Sequence, residues 1–470
     1  MQLFSIIKTT IYSSEFRKSV LLNPSSFTRN RQLSFEYIMY FFLIGAYKSL
    51  SVAIPEFIYL LSAQGLTFTK QALSKARKNI SYEAFISLNY ILIKEFFKQK
   101  QETFKGYRLL AVDGTKIELP KTKRILKFFG TDKIINKNTP RARAISFMDV
   151  LNNIIFNVKI YKYSVSERDC LVAQAKEIKY NKLSRKDIII ADRGFPSMAV
   201  FIELKQLGFD FVMRYNGEQF IKEFEDFPKS KQMDITRKVK PREIYKRKYK
   251  KALKKSLKTF KEEEIELRVV KIKLKKGKIE YLITSLTDKS KITKSNLRYI
   301  YNLRWGIEEN FKYQKGIVQI ENFSGKTRES ILQDYYSKIV IMNLHLSITL
   351  AVNKKIKKLV KKKNERPKPK ADTRPQQKGK ENQSNTKTQN GEILSSFKYT
   401  KYKVNKSVSY GLLRLYFLQI ISAEKHKLEI LYNVLLDEII KHKTPEINDR
   451  NNKRIVKDKI KYPTNNRRVV

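Results

Sequence analysis

Two short apolar runs, each closed by an aspartate, constrain this chain more than any other feature. Leu109 to Val112 leads into Asp113-Gly114-Thr115, and Ile188 to Ala191 leads into Asp192-Arg193-Gly194. Runs this short, bounded by turn-forming residues, read as strands. Ser146 to Leu151 and Ile154 to Tyr161 are two more strand candidates around the turn pair Asn152-Asn153, and Phe209 to Arg214 is another. A helical stretch around Ala199 to Leu207 lies between the last two. Strands that first pair and then alternate with helices predict a mixed α/β sheet.

The rest of the chain divides around that sheet. Residues 1–104 read as helical, with Thr69 and Ser81 as N-caps. Lys70, Lys75, Arg77 and Lys78 between those caps suit either DNA phosphates or a solvated helix face. Residues 105–216 form the first part of the α/β core and 291–352 the second, with helices at Ser295–Lys315 and Ser330–Val352. Between them, 217–290 reads as a β-rich insertion. A lysine-rich stretch leads to a hairpin of Ile265–Leu274 and Ile279–Leu286, with a phase slip at Val269-Val270 that predicts a bulge. Residues 353–392 are basic, proline-containing and poor in core formers, so a disordered linker is expected. Residues 393–470 return to a helical pattern and end in a basic tail.

Charge narrows the partners. Lys and Arg total 98 against 45 Asp and Glu, a formal net charge of +53 spread along the chain. Such a field draws polyanions, and counterion release drives nucleic-acid binding. One cysteine, Cys170, excludes an internal disulfide framework and a multi-cysteine zinc site. His345, His426 and His442 have no ligand spacing, so a metal would rest on carboxylate oxygens, which favours magnesium or manganese. The longest apolar run, Tyr37–Tyr47, falls short of the roughly 20 residues a membrane span needs. With no small-residue cleavage site near the start, the chain reads as soluble and cytoplasmic, associated with the nucleoid and not with a membrane.

A third acid joins the two aspartates. At about 100° per residue, Tyr301, Arg304, Glu308 and Lys315 share an arc of about 60° on one helix, beside an apolar stripe of Ile300, Leu303, Ile307 and Phe311. Glu309 points away, which makes Glu308 the candidate ligand. Each element has a plainer reading. Asp-Gly is a common turn, an Asp after a strand can cap a helix, and Arg304 and Glu308 are an ordinary i,i+4 pair. Three acids at two strand ends and one helix, in so basic a chain, point instead to metal-dependent phosphoryl transfer. Two divalent ions can activate a nucleophile and stabilise a leaving oxygen, and Arg304 and Lys315 would grip phosphates with Tyr301 near the cut. Trp305 reads first as a core residue and second as a platform for a displaced base. Arg193 and Arg214 suit either DNA or a neighbouring acid.

The spacing Tyr301-x2-Arg304-x3-Glu308-x6-Lys315 resembles the signature of the DDE transposases of the insertion-sequence-four family. Asp113-Gly-Thr and Asp192-Arg-Gly-Phe resemble that family's first and second acidic motifs. Phe27-Thr-Arg-Asn-Arg31, Glu321-Asn-Phe-Ser-Gly-Lys326 and Gln333-Asp334-Tyr335-Tyr336 add to the likeness, which covers most of 20–352 and, more weakly, Tyr402–Leu415. The resemblance implies a ribonuclease-H-like core with a β-rich insertion, and Asp113, Asp192 and Glu308 as catalytic ligands of two Mg2+ ions, with Mn2+ able to substitute. It also implies double-stranded DNA partners: the element's terminal inverted repeats and a target, held by a homodimer in a synaptic complex. A nuclease or resolvase on the same core, and a catalytically dead DNA-binding descendant, are the rival readings.

Overall fold

The computed structural model describes residues 1–29, 32–45, 49–61, 65–132, 138–215, 221–241, 277–364 and 401–446, and 254–274 apart from 255, 259 and 261. Its centre is one sheet built from β1 (Arg108–Glu118), β2 (Arg141–Asp149), β3 (Ile154–Lys162), β4 (Asp187–Ala191), β5 (Asp210–Tyr215), β6 (Asp234–Val239), β7 (Ile265–Lys273) and β8 (Ile279–Thr284). The strand order is β3-β2-β1-β4-β5-β8-β7-β6. β1, β2 and β3 are antiparallel, and β4 and β5 run parallel to β1. Three antiparallel strands followed by two parallel ones, flanked by helices, make a ribonuclease-H-like α/β fold. The strands of 217–290 do not form a sheet of their own: β8 pairs with β5 and extends the core sheet.

The unbroken apolar runs follow from two cores on opposite faces. Leu110, Val112, Ile189 and Ala191 pack into the larger one. Leu109, Ile188 and Ile190 pack into the other, and Ala111 meets Met148, Ile307 and Phe311. Successive side chains of a strand point to opposite faces, so a strand covered on both sides must be apolar throughout. The same rule corrects the bulge expected at Val269-Val270. Those two valines are paired in regular register with β6 and β8 and face the two cores in turn. The register shift lies instead at Phe147/Met148 in β2.

Register between β1 and β4 is set by a buried ion pair. Arg108 stands opposite Asp187 in the ladder and donates to both its carboxylate oxygens, at 2.7 and 2.9 Å. Its guanidinium also lies 4.0 Å from the Phe156 ring. A slip of one residue would strand both charges in the core, so the pair selects the register more than it stabilises it. That register puts Val112 beside Ala191, and hence Asp113 beside the residue that follows, Asp192. Arg108→Ala leaves Asp187 buried without its counter-charge, with the Arg185 N–H still donating to it, and is expected to cost about 3 kcal/mol. Denaturant unfolding of the variant measures it, and a loss under about 1 kcal/mol would contradict the account.

Helices enclose the sheet. α1 (Gln2–Tyr12), α2 (Ser14–Val20), α3 (Phe35–Ile44), α4 (Leu50–Leu61), α5 (Lys70–Arg77) and α6 (Glu83–Phe96) precede it, and α7 (Lys123–Phe129), α8 (Glu167–Tyr180) and α9 (Met198–Leu207) lie among its strands. α10 (Lys294–Asn302), α11 (Trp305–Gly316), α12 (Arg328–Asn364), α13 (Lys406–Ser422) and α14 (Lys425–Lys441) follow. α12 is the hub: α3, α6, α13, α14 and β3 all pack on it. It is long and apolar enough to cross a membrane, the one such helix among the described residues, but 67% of its apolar window is buried inside the protein.

Three further expectations are corrected here. The helix read as Ser295–Lys315 is two helices, broken at Leu303-Arg304. Residues 353–364, expected to open a linker, are instead the end of α12, with Ile356 and Val360 buried. Residues 365–392 of that linker lie outside the described residues, as do the basic tail from 447 and Asn30 and Arg31. Arg77, grouped with three exposed lysines as a phosphate contact, is buried and donates to Gln333, Ser324, Ser330 and Asp334. It fastens α5 to the start of α12.

Candidate active site

Asp113 does not end its strand. β1 runs on to Glu118, and Asp113 pairs with Ser146 at the point where the parallel ladder with β4 stops. The apolar run ends there because β1 loses a neighbour, not because the chain turns. Gly114 has a different reason from the expected turn. A Cβ on it would lie 2.8 Å from Glu167 Oε1 and 2.8 Å from Ile145 Cδ1. A side chain here would push aside the ends of Glu167 and Ile145, where the start of α8 lies against β1.

Asp192 follows the last residue of β4, and Glu308 sits in the first turn of α11. The break after α10 leaves Tyr301 in the last turn of one helix and Glu308 in the first turn of the next, with Arg304 between them. Arg304 is only 4% exposed. Its Nη2 donates to Glu308 Oε1 at 2.7 Å, and its Nη1 lies 3.7 Å from Asp113 Oδ2. Tyr301, also buried, donates its hydroxyl to Asp192 Oδ1 at 3.1 Å. The three acids named from sequence are thus gathered into one polar network by two residues of the same signature.

Burial pushes the Asp113 carboxyl up to about 6. The Gly114 N–H, at 2.7 Å from Oδ1, and the Arg304 charge oppose that rise, while Glu167 and Glu308 add to it. Burial and the nearby Asp192 charge also hold the Tyr301 phenol above its ordinary range, so it stays a donor at neutral pH. Arg214 of β5 flanks the network, with Nη1 3.9 Å from Asp192 Oδ1 and Nε 3.3 Å from Glu280 of β8. The Glu280 carboxyl is raised, by burial first and by Asp192 as well, with Arg214 opposing.

The two basic residues expected to share one polar stripe are divided. Arg304 is inside, among the acids. Lys315 is exposed at the far end of α11, where its ammonium donates to the Lys116 carbonyl at 2.6 Å and pairs with Glu321 at 3.4 Å. Trp305, read first as a core residue, is 58% exposed, with the Arg304 guanidinium 5.2 Å from its ring. Sequence reasoning missed Glu167 and Glu280. Each is one acid among many, and only the tertiary fold brings it beside the aspartates. Glu167 also pairs with Arg143.

Asp113, Asp192 and Glu308 offer the hard oxygen donors that magnesium and manganese prefer. Asp113 in particular is a buried carboxylate short of hydrogen-bond donors, an environment a cation would relieve. Yet among the described residues no three His, Cys, Asp or Glu side chains converge closely enough to hold an ion as they stand. The donor set fits a divalent cation, and Arg304 occupies the ground between two of its members.

The family model for the transposase DDE domain matches residues 104–344, just over half the chain. No curated protein matches in sequence. Among solved structures the chain is similar to a piggyBac transposase synaptic complex with hairpin DNA seen by cryo-EM. That similarity has a TM-score of 0.44 and 10% identity, covering 92% of this chain and 85% of the other.

Proposed function

The chain belongs to the transposase DDE domain family, and from that premise we propose that Asp113, Asp192 and Glu308 are its catalytic carboxylates and hold two Mg2+ ions, with Mn2+ as a substitute. The enzyme is a DNA transposase that cleaves and joins strands. We further assign it to the insertion-sequence-four branch, on the signature Tyr301, Arg304, Glu308 and Lys315. Its substrates are then double-stranded DNA: the terminal inverted repeats of its own element, then a target attacked by the freed 3′-hydroxyls. A homodimer on paired ends follows from that reading.

The observation that supports it best is the network itself. Two adjacent strands and one helix each bring an acid into one network, in which Arg304 contacts Asp113 and Glu308 and Tyr301 contacts Asp192. A bound pair of divalent ions supplies activation of the attacking oxygen and stabilisation of the leaving one. The protein's own part is positional. The β1/β4 register aligns the two aspartates, and the Tyr301 hydroxyl orients Asp192. Arg304 and Arg214 balance negative charge as the DNA backbone arrives. Lys315 and the net charge of +53 hold phosphates outside the site. The exposed Trp305 ring offers an unpaired base a stacking face.

Cleavage and joining of a DNA fragment carrying the coding region and its flanks is expected with Mg2+ or Mn2+. Ca2+, larger and looser in geometry, should support binding but little chemistry. Excess chelator should reduce product by at least about a hundredfold, in keeping with the weight metals carry in such chemistry. Undiminished cleavage in chelator sinks the metal reading, and cut ends with no joined product leave a nuclease.

A further inference from the structure

We infer that Arg304 and Arg214 are stand-in counter-ions, whose guanidinium groups neutralise Asp113, Glu308 and Asp192 until divalent cations replace them. Metal binding at this site is then an exchange of positive charges rather than the filling of a preformed cage. The inference rests on the reading of the three acids as metal ligands and adds what occupies their place beforehand.

The geometry points this way in three respects. First, the acids do not converge on a common point, and a guanidinium stands where they would have to meet. The three carboxylates are half-buried and close to one another, so a cation beside them lowers their mutual repulsion in the metal-free protein. Arginine is always charged, so it can yield its place only by moving.

Second, two of the three contacts are Coulombic rather than locked, the third being the Arg304–Glu308 hydrogen bond at 2.7 Å. The Asp113 and Asp192 distances of 3.7 and 3.9 Å exceed hydrogen-bond range, and neither is the bidentate pairing that Arg108 makes with Asp187. The Arg304 Nε is buried and has no acceptor among the described residues. A guanidinium built only to brace the site would be expected to satisfy that donor, as buried polar groups usually do.

Third, each arginine has somewhere to go. Arg214 already pairs with Glu280 through Nε, and that contact survives loss of Asp192. Arg304 lies over the rings of Tyr301 and Trp305, at 5.7 and 5.2 Å, and Trp305 opens to solvent on the side where DNA phosphates would arrive. A phosphate that draws Arg304 outward frees Asp113 and Glu308, and by linkage metal in the site strengthens the hold on DNA.

Manganese binding to the full chain without DNA, measured by calorimetry or by the loss of free-ion resonance signal, tests the inference. Arg304→Gln is expected to bind Mn2+ about tenfold more tightly than wild type, a change of about 1.4 kcal/mol. Arg214→Gln, whose side chain is 39% exposed and better screened, should gain about threefold. A bracing role predicts the opposite sign, because removing a brace loosens the ligands. Far-UV circular dichroism checks folding. If Arg304→Gln does not fold, the more exposed Arg214→Gln decides alone. Unchanged or weaker Mn2+ affinity in the folded arginine variants, with binding still lost in Asp113→Asn, overturns the inference and leaves the metal site standing. Mn2+ affinity that Asp113→Asn and Glu308→Gln do not alter overturns the metal site and the inference with it.

Discussion

Asp113→Asn, Asp192→Asn and Glu308→Gln are each expected to reduce cleavage at least about a thousandfold while leaving affinity for DNA within about twofold, since ligands that act as one unit fail together and binding rests on phosphate contacts elsewhere. The substitutions keep shape and remove charge. What they take away is the negative oxygen that binds a cation, not the packing that positions it. Gel-shift titration and a cleavage time course on the same DNA separate the two effects. A variant that cleaves at wild-type rate removes its residue from the site. A variant that loses binding and cleavage together shifts the argument to folding.

Asp113→Asn carries a second consequence. Burial penalises the charged form and pushes the native carboxyl up to about 6, above the ordinary range of an aspartate. At neutral pH the ionised side chain therefore weakens the metal-free fold, by about 1.4 kcal/mol for each unit of that rise. The amide should melt higher than wild type without metal although it is inactive. Stability is set aside at the residue where the chemistry is proposed, as is common for sites built to bind a charged group.

How much of this was legible in the sequence depended on whether a signal was local. Asp113, Asp192 and Glu308 each stood out through neighbours within a few residues: an apolar run, a glycine, a fixed helical spacing. All three fall in one network. The reasons behind those signals were less accessible. Gly114 looked like a turn, but it lies inside β1, against the side chain of Glu167, far along the chain and one acid among many. Helical periodicity carried smoothly from Tyr301 to Lys315, so the break at Leu303-Arg304 was invisible, since both residues keep helical dihedrals. That break and the packing around it put Arg304 inside the site. The sequence puts it on one polar stripe with Glu308 and Lys315, but the structure keeps only Arg304 and Glu308 together. Trp305 went the other way, to the surface. Periodicity reports which residues share a face, and it cannot say which face a neighbouring element leaves uncovered.

The long basic stretch after α12 separates the C-terminal helices from the core in sequence, yet one buried histidine ties them to the helix of Glu308. Tyr313 of α11 meets His345 Nδ1 at 2.5 Å, and His345 Nε2 meets Ser409 Oγ of α13 at 2.7 Å. Ser409 in turn donates to the Lys406 carbonyl at 3.3 Å. These contacts make one consistent chain if the Tyr313 hydroxyl donates to a neutral imidazole whose Nε2–H donates onward. A second proton on His345 would remove the acceptor and place a charge in a fully buried position. Burial, with the Lys406 charge adding to it, holds the group down to about 3. In the unfolded chain it titrates near 6.5, so below that pH the unfolded state binds the extra proton and the folded state does not. The stabilisation is thus complete above about 6.5 and is lost as the pH falls towards 3, by a total on the order of 4–5 kcal/mol. Between pH 7.5 and 4.5 the wild type should lose about 2–3 kcal/mol more than His345→Gln, which has nothing to protonate. Denaturant unfolding of both proteins across that range gives the comparison. Parallel pH profiles would mean that His345 is not buried as a neutral link, and that the C-terminal helices hold α11 by packing alone.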